Sequence, residues 1–118
     1  MGFPSPAEDY REDPIDLASY LVQHPSATFY FKVSGNSMEP TIPNGALIVV
    51  DRSLKPKNQD IVLAILEGEF TIRRVVRTPR AFVFHPDNTS YKPVSITEEM
   101  DVQVWGVVTA SVMRFRPV

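Results

Sequence analysis

Thr28-Phe29-Tyr30-Phe31-Lys32-Val33-Ser34-Gly35-Asn36-Ser37-Met38-Glu39-Pro40-Thr41-Ile42 contains the change of pattern that decides the fold. Over its first half the period is two. Phe29, Phe31 and Val33 face one way and Thr28, Tyr30 and Lys32 the other, which predicts a half-buried strand. From Ser34 the alternation stops. Gly35 permits a sharp turn, and Ser37 stands on it directly after the strand. A hydroxyl in that position can attack a carbonyl only if a base removes its proton. The peptide N–H groups of Ser37 and Met38 can face a developing oxyanion if a helical turn begins there, with Pro40 ending that turn.

Working outward, the same logic finds more strands. Residues 46–50 and 61–66 are unbroken apolar runs rich in β-branched residues, as central strands require. Residues 51–58 form a polar loop with Pro56. Glu67-Gly68 is a two-residue turn signal into a strand over 69–77, and Pro79 closes it. Residues 81–85 make another strand, and 85–97 read as loop. Residues 101–113 form a long last strand or strand pair, with Gly106 as a bulge. Upstream, residues 1–14 carry Pro4, Pro6 and Pro14 among acidic residues, so they predict an extended arm. A short helix is expected over about 16–23, with Asp16 as N-cap, Leu17, Tyr20 and Leu21 on one face, and Pro25 as its stop. The expected class is mainly β: an N-terminal arm over 1–27 bearing one short helix, then a compact, partly barrel-like antiparallel domain over 28–118.

Composition narrows the function classes. The chain has 118 residues, enough for one domain with its own apolar core. Its net charge of −2 gives no basis for sequence-independent DNA binding, so any role on DNA is expected to be indirect. There is no cysteine, hence no disulfide framework and no thiolate metal site, which fits a reducing cytoplasm. No apolar run reaches about 18 residues, so no membrane span is expected. The start lacks the basic and apolar regions of a signal peptide. Acidic residues are scattered, so neither metal nor other cofactor is expected. Eleven prolines favour short strands joined by turns.

The base for Ser37 is the open question. The obvious place for it is the strand Glu69-Phe70-Thr71-Ile72-Arg73-Arg74, where Ser-Lys chemistry wants a buried, neutral lysine. His24 and His85 are the only histidines, and a turn or surface role is the simpler reading of each. The remaining features read blandly. Phe29, Phe31, Phe82, Phe84 and Trp105 fit core or interface packing better than a base-stacking platform. Arg73, Arg74, Arg77 and Arg80 fit a solvated face.

Ser34-Gly35-Asn36-Ser37-Met38 resembles the nucleophile box of the LexA/UmuD group of self-cleaving serine peptidases. The likeness runs through Gly2-Phe3-Pro4-Ser5-Pro6-Ala7, Gln23-His24-Pro25-Ser26-Ala27-Thr28, residues 45–51, Gly68-Glu69-Phe70-Thr71 and Trp105-Gly106-Val107-Val108-Thr109. These segments look like the UmuD branch. The resemblance implies a β-clip type of fold in which Ser37 is the nucleophile and the Met38 N–H helps bind the oxyanion. A lysine on the strand after the Gly-Glu-Phe-Thr turn would be the base. It implies cleavage in the N-terminal arm just before the glycine that is Gly2 here, so the chain is expected to correspond to the processed form with a start methionine. It also implies a homodimer, an uncut chain as heterodimer partner, a UmuC-like Y-family polymerase as partner in a polymerase V type of enzyme, and a RecA filament as activator in the SOS response.

One departure bears on activity. Arg73 stands where the family has its lysine. A guanidinium stays protonated at any accessible pH and cannot take the proton of Ser37. Lys32, Lys55, Lys57 and Lys92 are the only lysines, and Lys32 belongs to the polar side of its strand. The chain is therefore expected to be catalytically silent. Two alternatives compete with a binding role. One is an active Ser-Lys autopeptidase or a protease like type I signal peptidases, whose Ser-Met-x-Pro-Thr box is similar. The other is the dimerisation domain of a LexA-like repressor, for which residues 1–27 are too few and too acidic to bind DNA.

Overall fold

The computed structural model describes residues 10–117. The expectations for residues 1–9, Gly2 among them, lie outside that range. Helix α1 (Leu17–Leu21) and a 3-10 turn (Pro25–Ala27) precede seven strands: β1 (Thr28–Lys32), β2 (Leu47–Asp51), β3 (Ile61–Leu66), β4 (Glu69–Arg77), β5 (Phe82–His85), β6 (Val94–Ile96) and β7 (Val102–Val112). They form one sheet in the order β1-β2-β7-β3-β4-β5-β6. Every pairing is antiparallel. The mainly β expectation therefore holds.

The apolar runs become the inner strands. In β2 the side chains of Ile48, Val49 and Val50 are all buried, so both faces of the strand are covered. One core joins Met38, Ile42, Ile48, Val50 and Leu63. The other joins Val62, Ala64, Val75, Phe84 and Val107. Val62 and Leu63 are neighbours in sequence and sit in different cores, as the two-residue period of a strand demands. Each fully buried aliphatic side chain contributes about 1.5–3 kcal/mol.

The sheet is strongly curled, which accounts for its partly barrel-like form. Four steps separate β1 from β4 in the strand order. In a flat sheet they would lie about 19 Å apart at ~4.8 Å per step. Yet the rings of Phe31 on β1 and Phe70 on β4 have centroids 6.3 Å apart. Trp105 on β7 packs edge-on against Phe29 and Phe31, at 5.1 and 5.3 Å, and fills the space between.

Turn chemistry sets the register. Glu67 and Gly68 both have positive φ, 50° and 83°, as a tight hairpin of the primed type needs. The expected bulge at Gly106 is present: Leu63 pairs with Gly106 and Ala64 with Val104, which leaves Trp105 as the extra residue. A Cβ on Gly106 would stand 2.5 Å from Val50 Cγ1, so only glycine fits beside β2.

Three expectations need correction. Helix α1 is shorter than predicted, because Val22 is already extended. Asp16 does cap it, accepting from Ala18 N at 3.1 Å and Ser19 Oγ at 3.0 Å. However, none of its residues is buried, and a helix without packing is marginal in water. The stretch expected as loop over 85–97 contains β6, which pairs with β5 through Phe84↔Val94 and Phe82↔Ile96. Pro40 does not end the turn after Ser37: Ile42 N donates to Met38 O at 2.9 Å and carries the turn past it.

Candidate functional site

The site is built where the turn after β1 meets β4. Ser37 starts the turn, and the Met38 side chain anchors it by sinking into the first core. Arg73 lies mid-strand on β4, opposite Val62 on β3. Its Nη1 donates to Ser37 Oγ at 2.8 Å and to Ile72 O at 2.7 Å. The structure thus joins the serine and the arginine picked out in the sequence. Burial pushes the Arg73 guanidinium down from its ordinary value, and Tyr91 works the other way. It remains a donor to Ser37, because guanidinium pKa values start so high.

Above this pair lies an open cleft of about 420 Å³, with Phe31, Ile48, Leu63, Phe70 and Ile72 among its walls. Ser37, Met38 and Arg73 line it. Among the described residues, no hydrogen bond uses the peptide N–H of Ser37 or of Met38. Those two donors belong to residues that line the cleft and are available to a group that enters it. Lys32 also lines the cleft, but it is exposed and makes no hydrogen bond to Ser37 among the described residues.

A second loop, following β5, clamps the serine turn. Asn88 N donates to Ser37 O at 3.0 Å, Asn88 Nδ2 to Asn36 O at 2.9 Å, and Tyr91 Oη to Asn36 Oδ1 at 2.9 Å. Thr41 Oγ1 donates to Asp87 Oδ2 at 2.6 Å. Arg74 holds Asp87 through two parallel bonds, Nε to Oδ1 at 2.9 Å and Nη2 to Oδ2 at 2.7 Å. These bonds from Arg74, with one from Thr41, keep the Asp87 carboxyl below the usual range although burial opposes them. Sequence reading missed Asp87, Asn88 and Tyr91. They are common loop residues lying far along the chain from the turn they hold, so no local pattern marks them.

The arginine run is a solvated face only at its end, where Arg77 and Arg80 are exposed; Arg73 and Arg74 are half-buried. Arg73 bonds Ser37, Arg74 bonds Asp87, and Arg77 stacks on Phe82 with 4.9 Å from its guanidinium carbon to the ring centroid. His24 is also more than a turn residue. Its Nδ1 lies 2.6 Å from Oδ2 of buried Asp51, whose Oδ1 accepts from Ser53 N and Ser53 Oγ at 2.8 and 2.6 Å. Burial disfavours the Asp51 charge, but the Ser53 and His24 contacts outweigh it and hold the carboxyl below its ordinary value. No triad results, because both groups bond the aspartate and neither bonds the other. Among the described residues, no three His, Asp or Glu side chains gather as a metal site, and no helix is long and apolar enough to cross a membrane.

A curled antiparallel sheet that presents a serine on a strand-end turn, opposite a cationic side chain on a neighbouring hairpin, defines a serine-peptidase type of scaffold. The chain belongs to the Peptidase S24-like family, whose profile matches residues 1–109. It is 42% identical to Protein ImpA of Escherichia coli over 122 residues, covering 98% of this chain and 79% of that protein. It is 44% identical to Protein SamA of Salmonella typhimurium (strain LT2) over 116 residues, covering 98% and 80%. Protein MucA of Escherichia coli is 42% identical over 114 residues, covering 95% and 77%.

Proposed function

We propose that this chain is a catalytically silent, UmuD-like binding subunit. Ser37 holds the nucleophile position, the Met38 N–H the oxyanion position, and Arg73 the position of the general base. The observation that carries the reading is the bond from Arg73 Nη1 to Ser37 Oγ. In it the serine accepts from a group with no lone pair to take its proton. Everything else the chemistry needs is supported by the cleft and the unused N–H groups.

With cleavage closed off, the role left is assembly. The subunit forms a homodimer, exchanges with an uncut chain, and joins a UmuC-like Y-family polymerase in a polymerase V type of complex. That complex copies past lesions in the SOS response, with RecA as activator, in the cytoplasm. Residues 1–27 act as an arm that offers contact surface. Ile15, Leu17 and Tyr20 are 58%, 63% and 67% exposed, which supports that use. Strand addition on the last strand is open at its C-terminal end. β7 pairs with β3 through residues 102–108 and with β2 through 107–112, so residues 109–112 keep one side without a partner strand among the described residues.

Size exclusion of this chain with a cognate Y-family polymerase tests the reading. Co-elution as a stable complex is expected. A chain that elutes alone at every ratio would reject the assembly role.

A further inference from the structure

We infer that the Ser37–Arg73 cleft is a receptor for the free C-terminal carboxylate of a peptide ending in an aliphatic residue. The inference rests on the non-cleaving reading of the same site. It starts from a mismatch between two adjacent arginines. Arg74 has its counter-ion, Asp87, in a two-point contact. Arg73 is half-buried and has no carboxylate within ion-pair distance among the described residues. Its Nη1 bonds only neutral oxygens, those of Ser37 and Ile72. A cation removed from water without an anion is costly, and an anion that reaches it recovers that cost.

The cleft supplies the rest of an anion site. Arg73 has further N–H groups in a planar fork that matches a carboxylate. The Ser37 hydroxyl adds a donor, and the N–H groups of Ser37 and Met38 carry no other bond among the described residues. The walls choose the carrier of the charge. Phe31, Ile48, Leu63 and Ile72 are apolar, so they favour a carboxylate with an aliphatic side chain beside it. Inorganic phosphate is too strongly hydrated and has nothing to bury there. A peptide terminus also fits the inherited geometry, because the acid product of a serine peptidase leaves its new carboxylate beside the serine. A neutral amine lets that product go, and a permanent cation holds it.

Titration calorimetry on the intact chain tests this with N-acetyl-Gly-Ala-Leu, its C-terminal amide, and inorganic phosphate as probes. The free acid is expected to bind about tenfold or more tightly than the amide, as losing a charge-assisted bond implies. Its binding is expected to weaken with added salt, and Arg73→Gln is expected to abolish it. In the unmutated chain, the NMR shift of the Arg73 Nε–H is expected to move on adding the acid and stay still on adding the amide. Equal binding of acid and amide, phosphate binding as tightly as the peptide, no binding of the acid, or an unmoved Arg73 signal would each overturn the inference. Cleavage by Arg73→Lys is a separate readout. A lysine variant that cuts, beside an unmutated chain that binds no acid, sinks this inference alone. A chain that binds the acid, beside a lysine variant that cuts nothing, sinks the catalytic assignment alone.

Discussion

Arg73 Nη1 sits 2.8 Å from Ser37 Oγ and ties the middle of β4 to the turn that follows β1. The contact does two things. It sets a permanent cation against the Ser37 hydroxyl, and it braces a turn whose other supports come from a distant loop.

The clamp around the serine turn depends on Asp87. Its folded-state carboxyl is depressed, chiefly by the bonds from Arg74, so the stabilisation is present above the ordinary carboxylate pKa. It is lost as pH falls below about 4 towards the lower folded-state value. Asp51 acts in the same direction. Asp87→Asn is expected to cost about 1–3 kcal/mol at neutral pH and to flatten the loss of stability on acidification. Urea unfolding of both chains between pH 3 and 7 measures this. Parallel pH profiles would mean that Asp87 is not linked to folding.

Two glycines should fail for different reasons. Gly106→Ala meets Val50 Cγ1 at 2.5 Å and is expected to cost about 1–3 kcal/mol by overpacking. Gly35→Ala meets nothing within 4 Å but sits at φ +109°, so its cost of about 1–3 kcal/mol is backbone strain. Val50→Ala should therefore offset part of the Gly106→Ala loss and none of the Gly35→Ala loss. A double-mutant cycle reads the difference. Strict additivity of Gly106→Ala with Val50→Ala would contradict the packing argument.

His24 fastens the base of the arm to the end of β2. His24→Ala leaves Oδ2 of buried Asp51 without its hydrogen-bond partner, since both Ser53 donors bond Oδ1, so global stability should fall by about 1–3 kcal/mol. Local protection should fall more, at the amide of Ala27, which donates to His24 O. Hydrogen exchange followed by mass spectrometry checks this. Unchanged exchange over residues 24–28 would show that the His24–Asp51 contact does not fasten the arm.

The sheet was largely legible because its signals are local. Alternation marked β1, apolar β-branched runs marked β2 and β3, and Glu67-Gly68 marked the β3–β4 hairpin. Gly106 was legible as a bulge, but not the Val50 contact that requires it. β6 was missed because Val94, Ser95 and Ile96 alone cannot display a period, and its pairing with β5 comes from tertiary context. In the site, the Ser37 turn and Arg73 could be named from residue type and resemblance. The clamp of Asp87, Asn88 and Tyr91 could not, since its contacts join segments 46 to 55 residues apart, and neither could the burial of Asp51 that recruits His24.

The central claim is that the scaffold is poised for cleavage and lacks only a base. Arg73→Lys tests it most directly, with a peptide spanning the family's cleavage segment as substrate and mass spectrometry as readout. The variant is expected to cut about 10²–10⁴-fold faster than the unmutated chain, the usual contribution of a positioned base, with Ser37→Ala abolishing the gain. Cutting by the unmutated chain at the rate of the lysine variant would contradict the account, as would a folded lysine variant that cuts nothing.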